Sequence, residues 1–143
     1  MNKKAIYAVL GVAVLGVAGF LISQALSSSL VYFILPSEYQ KDSQSFDDRR
    51  VRLGGLVEVG SVKFDEEQLH LTFMITDGIA GYPVQYDGAP PDLFMENGGV
   101  VIEGKFEHGI FIGDNLLVKH SEDYHPPPDG HPIDVEALKE SLR

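Results

Sequence analysis

The sequence has no cysteine and no tryptophan, and its basic residues are scarce: 11 Lys and Arg against 21 Asp and Glu, for a formal net charge of −10. The lack of cysteine excludes a disulfide framework, a thiolate zinc site, an iron–sulfur cluster, a thiol nucleophile and a Cys-x-x-Cys-His attachment. The shortage of positive charge argues against a nucleic-acid partner, because phosphate contacts supply most of that affinity. Gly-x-Ser-x-Gly and Gly-rich phosphate loops are absent as well, so nothing marks a serine hydrolase or a nucleotide enzyme. What is abundant is glycine, with 15 residues, and proline, with 8. At 143 residues the chain has room for about one domain.

The near-zero mean hydropathy averages two unlike parts. From Ala5 to Ile22 the sequence carries no charge and almost no polar atom. At about 1.5 Å per residue, roughly 20 such residues cross the hydrocarbon core of a bilayer. Lys3 and Lys4 precede this run, and the next basic residue is Lys41. The positive-inside rule then predicts a single-pass anchor with its N-terminus in the cytoplasm and the remaining domain outside, in a bacterium the periplasm. Ser23-Gln24-Ala25 has spacing that suits a signal peptidase. The apolar run exceeds the 7–15 residues of a signal core, which predicts retention as residues 1–26, stub and anchor.

From residue 27 onward nine basic and 21 acidic residues leave a net charge of −12. Residues 27–48 read as a linker and approach, although Val31 to Ile34 also suit the edge of the following domain. Period-two alternation then predicts strands. Val51, Leu53, Val57 and Val59 form one face; Leu69, Leu71, Phe73 and Ile75 form another. Pro83 to Tyr86, Val100 to Phe106 and Phe111 to Val118 follow, with a turn at His108-Gly109. Pro90 to Phe94 reads as a single helical turn. Gly54, Gly55 and Gly104 predict bulges or bends. Five or six short strands with almost no helix predict an all-β protein. The expected form is a small OB-type Greek-key barrel over residues 49–119. Past it, residues 120–143 contain three consecutive prolines. Asp134 suits the cap of a weak helix over Val135–Leu142, and the whole tail is expected to be mobile or ordered by a partner.

The unusual segment lies where the last strand stops: Lys119-His120-Ser121-Glu122-Asp123-Tyr124-His125-Pro126-Pro127. A histidine and a tyrosine four residues apart can flank one ligand. A neutral imidazole is a nucleophile or metal ligand, and a phenolate ligates ferric iron. Spacing alone leaves open a periplasmic metal-binding protein using His120, His125 and His131. Val118 to Pro127 also resembles the signature of CcmE-type (CycJ-type) haem chaperones of cytochrome c maturation. Arg52-Leu53-Gly54-Gly55-Leu56-Val57, Gly60-Ser61-Val62, Tyr86 with Gly88, Pro91-Asp92-Leu93-Phe94 and Gly99 to Gly104 resemble further motifs of that family, in the same order.

The resemblance implies a haem carrier without catalytic turnover of its own. His120 corresponds to the family's covalent attachment to a haem vinyl group. Tyr124 corresponds to its axial iron ligand. The cargo is haem b, held covalently and transiently, then passed to apocytochrome c. The implied partners are the inner membrane and the membrane haem-handling and haem-lyase proteins of the same pathway. An imidazole of ordinary pKa, about 6.5, is largely neutral near pH 7 and so able to attack a vinyl carbon. Arg49, Arg50, Arg52, Lys63, Lys105 and Lys119 are candidates to offset the propionates, Lys119 being the nearest in sequence, while most of them read as ordinary surface charges. Phe33, Phe106 and Phe111 read first as core residues and, as the alternative, as apolar platforms for the ring.

Overall fold

The computed structural model describes residues 2–27, 31–119 and 132–143. The chain divides into two compact units, Met1–Val31 and Tyr32–Arg143. The first is helix α1 (Lys3–Ser27). Its stretch Lys3–Ala25 is long and apolar enough to cross a membrane, and none of it is buried in protein. Side chains such as Val12 and Leu15 are about three-quarters exposed, which in water would be costly and in lipid is not.

The second unit is built from seven strands, β1 (Tyr32–Ile34), β2 (Val51–Val57), β3 (Lys63–Asp65), β4 (His70–Thr76), β5 (Gly81–Asp87), β6 (Gly99–Glu107) and β7 (Ile110–Val118), with helices α2 (Pro36–Lys41), α3 (Ser43–Phe46) and α4 (Val135–Leu142). Strands β2, β6, β7, β5 and β4 are neighbours in that order, and β4 returns to β2 through Leu56–Thr76 and Val57–Ile75, which closes the barrel. The β5–β7 contact is parallel and the others of the ring are antiparallel. This is the connectivity of a five-stranded OB-type barrel. Closure leaves parts of the β2 and β4 edges open. β1 pairs with β2 over Val51 to Leu53, and β3 pairs with β4 over His70 to Thr72, so those backbone groups find partners.

Alternation fills the interior. Val51, Leu53, Val57, Leu71, Phe73, Ile75, Val84, Val100, Ile102, Phe106, Phe111 and Leu116 form one buried cluster. Val59 and Leu69 depart from the expected faces: both lie beyond strand ends and are more than half exposed. The β6–β7 hairpin turns at His108 and Gly109, whose φ values of 52° and 80° fit a two-residue turn matching strand twist. Gly104 sits at the register shift between β6 and β7, where a Cβ would overlap the Ile112 carbonyl. Gly54 and Gly55 mark no bulge, since β2 pairs with β6 without interruption from Val51 to Leu56. They permit close approach instead: Phe33 and Leu142 lie over Gly54, and Ile75 lies over Gly55. Pro90 to Phe94 is a hydrogen-bonded turn, with Phe94 N–H donating to Pro91 O (3.1 Å), and the φ of 72° at Leu93 is incompatible with a helical turn.

Two segments expected to be loose are integral to the barrel unit. Within the supposed linker, Ile34, Leu35 and Tyr39 are buried, and β1 is a sheet member. The end of the tail folds as well. Asp134 Oδ1 accepts from the N–H groups of Glu136 and Ala137 (both 3.1 Å), capping α4. Leu138 and Leu142, one helical turn apart, are buried against Leu56 and Val101, with Phe33 and Ile133 at the margin. An eight-residue helix is marginal by itself; burying two leucines contributes about 1.5–3 kcal/mol each. α4 therefore owes its existence to this contact. The expectation of a loose tail fails for this segment because the surface that orders it belongs to β1, β2 and β6.

Asp77 ties α2 to the barrel. Its buried carboxylate accepts from Ser37 N–H (2.8 Å) and from the N–H groups of Ile79 and Ala80 (both 3.0 Å). Burial opposes the charge, but the bonds from Ala80, Ser37 and Ile79 outweigh it and hold the carboxyl below its usual pKa. A folded-state pKa below the unfolded value of about 3.9 gives stability that is complete above that value and lost as pH falls through the folded one. Asp77→Asn is thus expected to be destabilised at pH 7 by about 1–3 kcal/mol. In urea unfolding its gap from the wild type narrows in acid; a gap independent of pH contradicts this account.

Candidate functional site

Strand β7 delivers the candidate segment to the end of the barrel. Lys119 N–H donates to Gly99 O (3.0 Å), so the ladder holds the chain through the residue before His120. Val118 faces Val100, and Leu117 faces Val101. Leu117 is 42% exposed and Lys119 is exposed, so the strand leaves the barrel at an open surface with an apolar side chain two residues before the exit. Beyond Gly113, β7 runs past the end of its pairing with β5; among the described residues, no strand pairs with that edge from Asp114 to Val118. His120, Tyr124, His125 and His131 lie outside the described residues.

The structure sorts the candidate cations. Arg50 donates to Asp114 through both terminal nitrogens, one at 2.7 Å, and to Glu103 (3.3 Å); Arg52 Nε donates to Glu103 (2.6 Å). The Arg50 guanidinium holds the Asp114 carboxyl below its usual range. Both arginines are thus engaged by carboxylates of β6 and β7, which the linear sequence does not reveal. Lys105 pairs with Ile112, five positions along the ladder from Val100–Val118 and so about 17 Å from the exit. Lys63 lies on β3, and Arg49 precedes β2 at the far end of the barrel. Of the six, Lys119 alone stands at the exit of β7.

The proposed aromatic platforms are sorted likewise. Phe106 and Phe111 are 1% and 0% exposed, and Phe106 stacks on Tyr39 with centroids 3.5 Å apart and planes at 8°. They are core. Phe33 packs in the cluster beneath α4. A cavity of about 380 Å³ is lined by Tyr39, Asp47, Phe106 and His108 among others. It lies toward the β6–β7 turn, at the opposite end of that hairpin from Lys119. There Tyr39 donates to Asp47 Oδ1 (2.5 Å), and burial together with that carboxylate pushes the phenol well above its usual pKa. A phenol so held is a structural donor. Among the described residues, no three His, Asp or Glu side chains converge to hold a metal ion.

The barrel with its open strand exit is the frame that the separated motifs share. The model of the CcmE domain matches residues 30–127, more than half of the chain and a range that takes in both His120 and Tyr124. The chain belongs to the CcmE family. The cytochrome c-type biogenesis protein CcmE of Thermus thermophilus is 49% identical over 131 residues, covering 91% of this chain and 92% of that protein. The CcmE of Pseudomonas aeruginosa is 38% identical over 143 residues, covering 99% and 96%. A solution structure of the OB-fold domain of the haem chaperone CcmE from Desulfovibrio vulgaris aligns with a TM-score of 0.46 and 27% identity, over 50% of this chain and 88% of that one. Within the CcmE match, Arg52 to Val57 is the β2 strand, Pro91 to Phe94 the turn before β6, and Gly99 to Gly104 the first part of β6. These motifs therefore build the barrel.

The sequence reading missed the residues that seat α4. Leu138 and Leu142 carry a helical spacing that is visible in the sequence. The Lys139–Glu38 ion pair spans 101 positions and has no local signal.

Proposed function

We propose that this CcmE-family protein is a membrane-anchored haem chaperone of cytochrome c maturation. Haem is its cargo, not a resident cofactor. The observation that carries the reading is the family match through residue 127, together with a last barrel strand that ends before an exposed Lys119.

His120 adds through a ring nitrogen to one carbon of a haem vinyl group, and the ring proton goes to the other vinyl carbon. The addition needs no net oxidant or reductant, and its reversal restores the vinyl group when haem passes to apocytochrome c. Tyr124 ligates the ferric iron as phenolate. Ferrous iron carries less charge to stabilise that anion, so reduction weakens the bond and assists release. Lys119 supplies the nearest positive charge for a propionate. α1 anchors the chain in the inner membrane with the barrel in the periplasm, where haem-handling and haem-lyase proteins of the membrane exchange cargo with it.

The test is intact-protein mass spectrometry on the full chain purified from cells running cytochrome c maturation. A haem-mass adduct that survives denaturation is expected. Tyr124→Phe is expected to keep the adduct and to change the ferric absorption spectrum more than the ferrous one. Metal that washes out with a chelator, with no adduct, returns the chain to the histidine metal-binding reading.

A further inference from the structure

Helix α4 is fastened to the barrel by side chains. Among the described residues, no backbone hydrogen bond joins it to a strand, whereas β2, β6 and β7 hold one another through ladders. Its attachments are the buried Leu138 and Leu142, the half-buried Ile133 just before it, and the Lys139–Glu38 ion pair. The surface beneath it has a definite relief. Gly54 faces Val101 and Leu56 faces Gly99 across the β2–β6 ladder, so two glycines and two apolar side chains alternate at the corners of one patch. The patch lies on the outside of the barrel, since Leu56 and Val101 pack with α4 and not with the interior cluster. Leu142 sits in the notch that the glycines leave: a Cβ on Gly99 would be 2.9 Å from its Cδ2, and one on Gly54 3.4 Å from its Cδ1. Leu117, opposite Val101 on β7, is 42% exposed and carries the apolar surface past the helix. Glu38 marks the rim. One of its carboxylate oxygens accepts from Leu35 N–H (2.9 Å) and the other from Lys139, so the carboxylate keeps its place without the lysine.

We propose that this patch of β2 and β6 is a docking groove for an amphipathic helix, which α4 occupies in cis as a removable plug. The partner it fits is a protein helix with leucines one turn apart and a basic residue directly after the first. That chemistry is read from α4: Leu138 and Leu142 fill the floor and Lys139 meets Glu38. A different helix bearing the same pattern meets the same apolar floor and the same fixed carboxylate. α4 is able to yield because an eight-residue helix is marginal without its contact. Segments held by few buried side chains open at lower free energy than ladder-bonded strands. Being on the same chain gives α4 an effective concentration on the order of millimolar, which a partner helix must outcompete. The contact is therefore autoinhibitory. The proposal goes beyond the haem-carrier reading and does not depend on it.

The chain has no cysteine, so a single introduced thiol reports on one position. The test compares Val101→Cys, beneath α4, with Val100→Cys, its neighbour in the interior cluster, both in the full chain. Alkylation by iodoacetamide is expected to be at least about tenfold faster at position 101, because α4 lifts off while the barrel stays closed. Equal rates mean that α4 leaves only when the barrel unfolds, which overturns the plug. The second arm adds Leu138→Ala and Leu142→Ala to Val101→Cys, which vacates the groove and speeds alkylation further. A synthetic peptide of residues 132–143 at millimolar concentration is expected to slow that reaction several-fold. The same peptide carrying Leu138→Ala and Leu142→Ala is expected to leave it unchanged, and Glu38→Gln in the chain to weaken the protection. A thiol that the wild-type peptide leaves unprotected overturns the docking groove. So does protection of equal strength by the alanine peptide, which marks a non-specific contact.

Discussion

His120→Ala is expected to abolish the haem band that persists on a denaturing gel, while leaving the barrel folded. On the proposed covalent attachment the loss is complete: without the imidazole, haem is held only by contacts that denaturant removes. The barrel is expected to survive because the buried cluster of its interior is assembled from β1, β2, β4, β5, β6, β7 and Tyr39 of α2. Among the described residues, the ladder holds the chain through Lys119. Holocytochrome yield in cells that depend on this chain falls to background. His125→Ala and His131→Ala keep the band, because neither matches the position that the family resemblance assigns to attachment. A band of normal strength from the His120→Ala chain defeats the attachment assignment.

The largest effect on stability is expected from Phe106→Ala. Phe106 is 1% exposed and stands at the centre of an aromatic cluster. Tyr39 stacks on it; Tyr82 and Phe111 meet it edge-on, with centroids 5.3 and 4.9 Å away. Truncation removes the buried area of a phenyl ring and leaves a cavity that three aromatic neighbours cannot fill, which costs about 3–5 kcal/mol. Against the 5–15 kcal/mol by which domains are stable, that is a large share. The urea midpoint of the aqueous unit drops, with an unchanged slope. A loss below about 1 kcal/mol means that the cluster is not the centre of the core. The variant also separates two roles that the sequence alone confuses, since Phe106 was a candidate haem platform. As core, it influences haem loading only through the fraction of chain that is folded.

The strands were legible because alternation is a local property. Leu71, Phe73 and Ile75 recur every second residue, and a half-buried strand requires this of any sequence that forms one. β3, three residues long with one half-buried side chain, left no such trace. β1 was visible only as a short apolar stretch, because its burial depends on pairing with β2 nearly twenty positions later. Arg50 and Arg52 looked like free cations for the same reason: their partners Glu103 and Asp114 arrive through the β2–β6–β7 ladder. In the candidate site, His120 and Tyr124 were legible through resemblance carried by several ordered motifs.

By itself the sequence determined a charge-free apolar run of membrane-spanning length, a small acidic barrel of alternating strands and a His–Tyr segment following the last of them. These follow from local composition and periodicity, which act over a few residues. Tertiary structure decided which cations were already paired, which aromatics were interior, and that the end of the chain comes back to the barrel. Each of those depends on groups far apart in sequence, as Lys139 and Glu38 are, and becomes determined only when closure of the sheet brings them within bonding distance.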